Sequence, residues 1–330
     1  MKGFVFFHYL CIKYLKMINT VRNTVLAIAN KQNFGYISPA DFNLYAKQAQ
    51  LDLFENYFYR YNEWISKQNA RISGSGYADI VKNLEEVIDT FSVEGALFKS
   101  DSNVYKMPNE DNNDSDYYLL DKVLVYNNKI TSGSLTTLGA TVIEDSSANF
   151  ISSGVLAGDV VATISDNVVR YRTVLNVQSA TSLLLSGSLT LSSPLYAVYN
   201  NSYREAERVS HSKINLLSMS NLTAPKINTP AYTQSELTVS IYPISVNGVG
   251  QVKSQYIRKP KDPKWTYTNL SGGEPAFNQG AQDYQDFELP VSDEPRLISK
   301  ILQYVGISIR EADVYQAGSN EEVKTIQKQG

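Results

Sequence analysis

Apolar side chains recur at helical spacing along the first third of the chain, and near Glu94 the period shortens to that of strands. Residues 18–31 and 38–66 read as helices separated by a turn at Gly35, and the run ISGSG ends the second. The start of that second helix is written locally. Ser38 suits the N-cap, Pro39 suits the first helical position, where no N–H is needed, and Asp41 complements the positive end of the helix dipole. Phe42, Tyr45, Ala46, Ala49, Leu53 and Tyr57 then form one apolar stripe. Leu51, Phe54, Phe58, Tyr61, Trp64 and Ile65 add apolar surface at angles which that stripe leaves open. A helix apolar over so much of its circumference is buried on several sides, either within a large core or between subunits. A third helix is predicted from Tyr77 to Asp89, with Ile80, Val81, Leu84, Val87 and Ile88 on one face.

Beyond Glu94, the stretches from Ala96 to Met107 and from Tyr117 to Tyr126 read as strands around the polar loop PNEDNNDSD. Residues 131–200 are rich in Ser, Thr, Val, Leu and Gly and poor in charge. Thr141 to Asp145, Val160 to Ile164, Val168 to Val177 and Ser182 to Leu185 are short strands there, spaced as in a small antiparallel barrel or sandwich. A helix is expected from Ser202 to Leu217, with Arg204, Glu205, Glu207 and Arg208 on its solvated face. Leu237 to Tyr242 and Val252 to Arg258 read as a strand pair. A last helix, from Pro290 to Val305, spaces Leu297, Ile298, Ile301, Leu302 and Val305 for burial, and the tail from Gln316 is polar.

The pattern as a whole predicts an α+β fold: a helical N-terminal region, a mixed α/β body and an inserted small antiparallel β-barrel or sandwich domain. The expected divisions are a peripheral extension (1–16), a helical then β N-terminal part of the core domain (17–130), the inserted β domain (131–200), the C-terminal part of the core domain (201–315) and the polar tail (316–330). In the extension, the apolar run from Phe4 to Ile12 is far shorter than the roughly 20 residues of a transmembrane helix. No small-residue cleavage site follows it. No membrane segment is expected, and Met17 is a candidate start of the body.

Composition narrows the function. Apolar residues make up 43% and charged residues 19% of the 330, and the net charge is −3. That balance lacks the basic excess a sequence-independent DNA binder needs to displace counterions. The 23 tyrosines stand out, because an apolar ring with a polar tip suits interfaces as well as cores. Cys11, the single cysteine, excludes an intrachain disulfide framework.

The chemistry-bearing patterns each have a structural reading that is simpler than the functional one. His8 and Cys11 have the spacing of a ligand pair, but with two histidines in the chain nothing completes a metal site. Asp111, Asn113 and Ser115 imitate the start of a calcium loop, yet the positions that demand Gly and Glu hold Asp116 and Lys122. Ser210 and Lys213 form S-x-x-K without the accompanying motifs of a serine nucleophile. No glycine-rich nucleotide fingerprint exists; Gly74 and Gly76 punctuate a helix end. Asp283, Asp286 and Glu288 could supply a glycosidase pair, with a solvated loop as the default. The basic run from Arg258 to Lys264 could touch nucleic acid or simply protect a sheet edge. These readings predict no enzyme, no cofactor and no metal.

Five stretches carry a resemblance. INTVRNTVLAIANKQNFGYISPADFNLYAKQAQLDLFENYF at the N-terminus, and TVSIYPI, YIRKPKDPKWTY and DYQDFELPVSDEPRLISKILQYVGISIREADVYQAG near the C-terminus, resemble virion structural proteins of tailed bacteriophages, including the crAss-like group. Between them, TVIEDSSANFISSGVLAGDVVATISDNVVRYRTVLNVQSATSLLLSG is similar to a small β module of phage particle proteins. Together they cover more than half the chain, in the expected order; residues 1–16 precede the family-like start. The resemblance implies a subunit of a neck or tail ring in the virion: copies of itself in a ring, generally twelve-fold, joined to portal and other neck or tail proteins, with DNA passing through the channel without sequence-specific binding. On this reading Phe54, Phe58, Tyr61, Trp64 and Ile65 are the candidate subunit interface, with an ordinary intradomain core as the alternative for that helix. Two other classes remain: a tail-associated adhesive or glycan-binding protein that stacks sugars on Tyr and Trp near 283–288, and a DNA-contacting packaging or ejection factor that uses Arg258 to Lys264.

Overall fold

The computed structural model describes residues 17–29, 37–69, 78–109, 116–138, 141–165, 168–189, 194–309 and 319. The extension 1–16 with His8 and Cys11, the Gly35 turn, Gly74 and Gly76, the side chains of Ile80 and Val81, the loop positions Asp111, Asn113 and Ser115, and the tail apart from Ser319 lie outside the described residues. The fold is α+β. It opens with α1 (Met17–Ala29), α2 (Pro39–Asn69) and α3 (Ala78–Thr90). Short strands follow: β1 (Ser92–Ala96), β2 (Phe98–Lys99), β3 (Val104–Lys106) and β4 (Tyr117–Tyr126). Next come β5 (Lys129–Ser134), β6 (Thr137–Leu138), β7 (Val142–Glu144), β8 (Val160–Ser165), β9 (Val168–Val177), β10 (Ser182–Leu185) and β11 (Leu195–Tyr199). The chain continues through β12 (Tyr203–Glu205), β13 (Glu207–Arg208), α4 (His211–Ser218), β14 (Ala231–Gln234), β15 (Thr238–Tyr242) and β16 (Val252–Arg258). It closes with β17 (Tyr267–Asn269), β18 (Pro275–Phe277), a 3-10 turn (Val291–Asp293) and α5 (Glu294–Ile309).

These elements form two compact units, one from residues 1–90 with 260–330 and one from residues 91–259. In the first, the α2 stripe behaves as its spacing predicts: Phe42, Ala46, Ala49, Leu53 and Tyr57 are buried. They share a core with Ile18, Val21 and Val25 of α1, Leu297, Ile301, Leu302 and Val305 of α5, and Trp265, Phe287 and Leu289. Ser38 is the N-cap, its Oγ accepting the Asp41 N–H at 3.1 Å and donating to the Asp41 carboxylate at 2.6 Å.

Two amides, the half-buried Asn43 and the buried Gln50, and a buried carboxylate fasten the segment 261–288 to these helices. Asn43 accepts the Trp265 N–H at 2.8 Å and donates to its carbonyl at 3.2 Å. Gln50, two helical turns further along the same face, accepts the Glu288 N–H at 3.0 Å and donates to the Lys261 carbonyl at 2.8 Å. Asp286 accepts the N–H groups of Met17 and Ile18 at 2.9 and 2.8 Å, so the first turn of α1 is capped from the far end of the sequence.

The second unit contains two facing sheets, ordered β1-β16-β4-β12 and β13-β14-β15-β3-β2. Val123, Val125 and Val252 from one sheet meet Tyr105, Tyr232, Val239 and Ile241 from the other in one core. The chain switches sheets at Leu97 and again at Ala206, both buried in that core. A seven-stranded sheet, β5-β11-β8-β9-β10-β7-β6, lies in the same unit. Its two end strands are separated in sequence only by Leu135 and Thr136, whose N–H groups reach Pro194 and Glu144 on the two sides at 2.8 Å each. The sheet therefore curls until one stretch of chain, 129–138, supplies both of its edges, around a core of Leu135, Ile143, Phe150, Val161, Val174, Leu183, Leu185, Tyr196 and Val198.

Three expectations are corrected. The stretch from Ala96 to Met107 is not one strand: it turns back on itself after Lys99, so that β2 and β3 pair antiparallel. β15 and β16 do not pair with each other: β15 lies between β14 and β3, and β16 between β1 and β4. Each buries one face, and those faces oppose one another across the sandwich. The helix expected from Ser202 starts only at His211, because Tyr203–Arg208 is drawn out along the margins of both sheets, with β12 on β4 and β13 on β14. Tertiary pairing overrides helix propensity there.

Candidate subunit interface

Beyond its buried stripe, α2 carries a second set of apolar residues. Phe54 is fully buried, and so it serves as a support and not as a surface anchor. Its ring meets Phe58 edge to face, with centroids 5.0 Å apart. Phe58, Tyr61 and Ile65 are half-buried. The Tyr61 hydroxyl donates to Glu85 of α3 at 3.3 Å, and burial followed by the Glu85 charge raises its pKa. The Trp64 side chain lies outside the described residues. Leu44 and Tyr59, 63% and 69% exposed, extend the apolar surface of the helix. Sequence reasoning missed both; their positions off the main stripe were the available signal.

Deeper in the same unit, the Tyr57 hydroxyl donates to Asp293, and Asp293 pairs with Arg296 at 3.3 Å. Arg296 also donates to Asn56 at 3.3 Å. Burial, then the Asp293 charge, pushes the Tyr57 phenol far above its ordinary range, so it stays protonated and acts as a fixed donor. Burial likewise lowers the nearby Arg60, with the Arg296 charge adding to it.

The sequence-level alternatives find their side chains engaged. Trp265 is buried, with the Arg22 guanidinium 3.8 Å above its ring and Tyr267 and Phe277 stacked near it. Its Nε1 donates to Asn19 at 3.1 Å. Asp283 pairs with Lys264 at 2.6 Å, a hydrogen bond that holds its carboxyl below the usual value. Asp286 caps α1, as described, and Glu288 accepts the Lys261 N–H at 2.8 Å. Within the basic run, Arg258 lies over the Phe91 ring. Ser210 is the N-cap of α4, its Oγ accepting the Lys213 N–H at 3.3 Å, while the Lys213 ammonium pairs with Glu207. S-x-x-K is here a helix cap beside an ion pair.

Among the described residues, no three of His, Cys, Asp and Glu are grouped so as to hold a metal ion. Among those residues, too, no helix is long and apolar enough to cross a membrane. No protein-family model matches the chain, and no curated protein matches it either.

Proposed function

We propose that this chain is a structural subunit of a tailed-phage particle, a ring protein of the neck or tail that connects portal to tail and surrounds the DNA ejection channel. The observation that carries the reading is α2. Its main stripe is satisfied inside its own unit, yet Phe58, Tyr61 and Ile65 remain half-buried and Leu44 and Tyr59 largely exposed on the same helix. An exposed apolar surface on a 31-residue helix is the kind of surface that association covers. The sequence resemblance to phage particle proteins supplies the context, and a closed ring supplies the geometry, since each subunit then offers different faces to its two neighbours. The reading makes the protein a non-enzymatic component of the virion with no cofactor, its partners being copies of itself, generally twelve, together with portal and other neck or tail proteins. Mass photometry of the purified protein, alone and mixed with candidate portal and tail proteins, tests this. Discrete particles near twelve copies are expected; a persistent monomer or trimer under every condition overturns the ring.

A further inference from the structure

We draw no further inference here: the strongest candidate, the exposed aliphatic row of Leu216, Met219 and Leu222 at the end of α4 beside the open groove lined by Arg204, Glu207 and Lys213, carries nothing because nothing in the structure shows what covers it.

Discussion

Gly250 shows how closely the segment after β15 approaches the curled sheet. It has φ +62°, and an added Cβ would lie 2.6 Å from the Ala162 Cβ and 2.8 Å from the Val169 Cγ1. Replacing it with alanine combines left-handed strain with overlap, and Gly250→Ala is expected to cost about 1–3 kcal/mol, read as a lowered thermal midpoint. An unchanged midpoint would show that the close approach is not there. Gln50 tests a different kind of restraint. Gln50→Leu keeps the volume but leaves the Glu288 N–H and the Lys261 carbonyl without their partner, and a loss of about 1–3 kcal/mol in urea unfolding is expected. If Gln50→Leu unfolds at the wild-type urea concentration, the staple contributes nothing.

At the scale of elements, tyrosines join the curled sheet to the sandwich. Tyr126 stacks on Tyr199 at 5.2 Å, and the hydroxyls of Tyr171 and Tyr199 donate to the carbonyls of Gly250 and Val249 at 2.9 and 2.8 Å. Lys253 lies over the Tyr171 ring at 4.7 Å and pairs with Glu94 at 2.8 Å. Burial raises the pKa values of Tyr105, Tyr126, Tyr171, Tyr196 and Tyr199. A raised folded-state value stabilises the fold fully below the unfolded phenol value of about 10, and that contribution is lost as pH rises through the folded value. In a titration followed at 295 nm, only part of the 23 tyrosines is therefore expected to ionise near pH 10, the rest ionising together with the loss of circular dichroism. Ionisation of all of them near pH 10 with intact dichroism would contradict this seam.

Asp145 sets the opposite limit. Burial raises its pKa, but hydrogen bonds from the Ser147 hydroxyl and N–H, Tyr196 and Ala148 outweigh burial and hold it below its ordinary value. Its contribution is present above the unfolded carboxylate value of about 4 and is lost as pH falls through the lowered folded value. Asp145→Asn is accordingly expected to flatten the acid limb of a stability-versus-pH curve; an unaltered limb would remove Asp145 from the account.

For the whole molecule, one unit interrupts the other. The second unit starts and ends on neighbouring antiparallel strands, with Ser92 opposite Ile257 and the Arg258 N–H donating to the Phe91 carbonyl at 3.0 Å. With adjacent ends and its own cores, a fragment of residues 91–259 is expected to fold alone and melt cooperatively. A fragment without a cooperative transition would refute that autonomy. The proposed assembly belongs to this scale as well. Phe58→Ala is expected to weaken ring formation while leaving the monomer folded, whereas Phe54→Ala should destabilise the fold by about 3–5 kcal/mol because it empties a buried site. Normal rings from the Phe58 variant would remove α2 from the interface.

Local rules made much of the fold legible. The Ser38 cap, the α2 and α5 stripes, and the limits of β4, β9, β10 and β16 follow from capping chemistry and from side-chain periods that act within a few residues. The candidate interface was legible only as an excess of apolar surface on one helix, because periodicity counts apolar faces without saying what covers each. Phe54 and Phe58 look alike in sequence, and packing alone made one a core residue and left the other half-buried. Sequence by itself determined the α+β class and the type of most helices and strands, Tyr203–Arg208 apart. Tertiary structure decided the rest: that β15 and β16 lie in different sheets, that Tyr203–Arg208 is extended, and that Asp286 caps a helix 268 residues away. The reason is physical. Hydrogen-bond partners joined across such separations are chosen by three-dimensional packing, and no window of neighbouring residues contains that information.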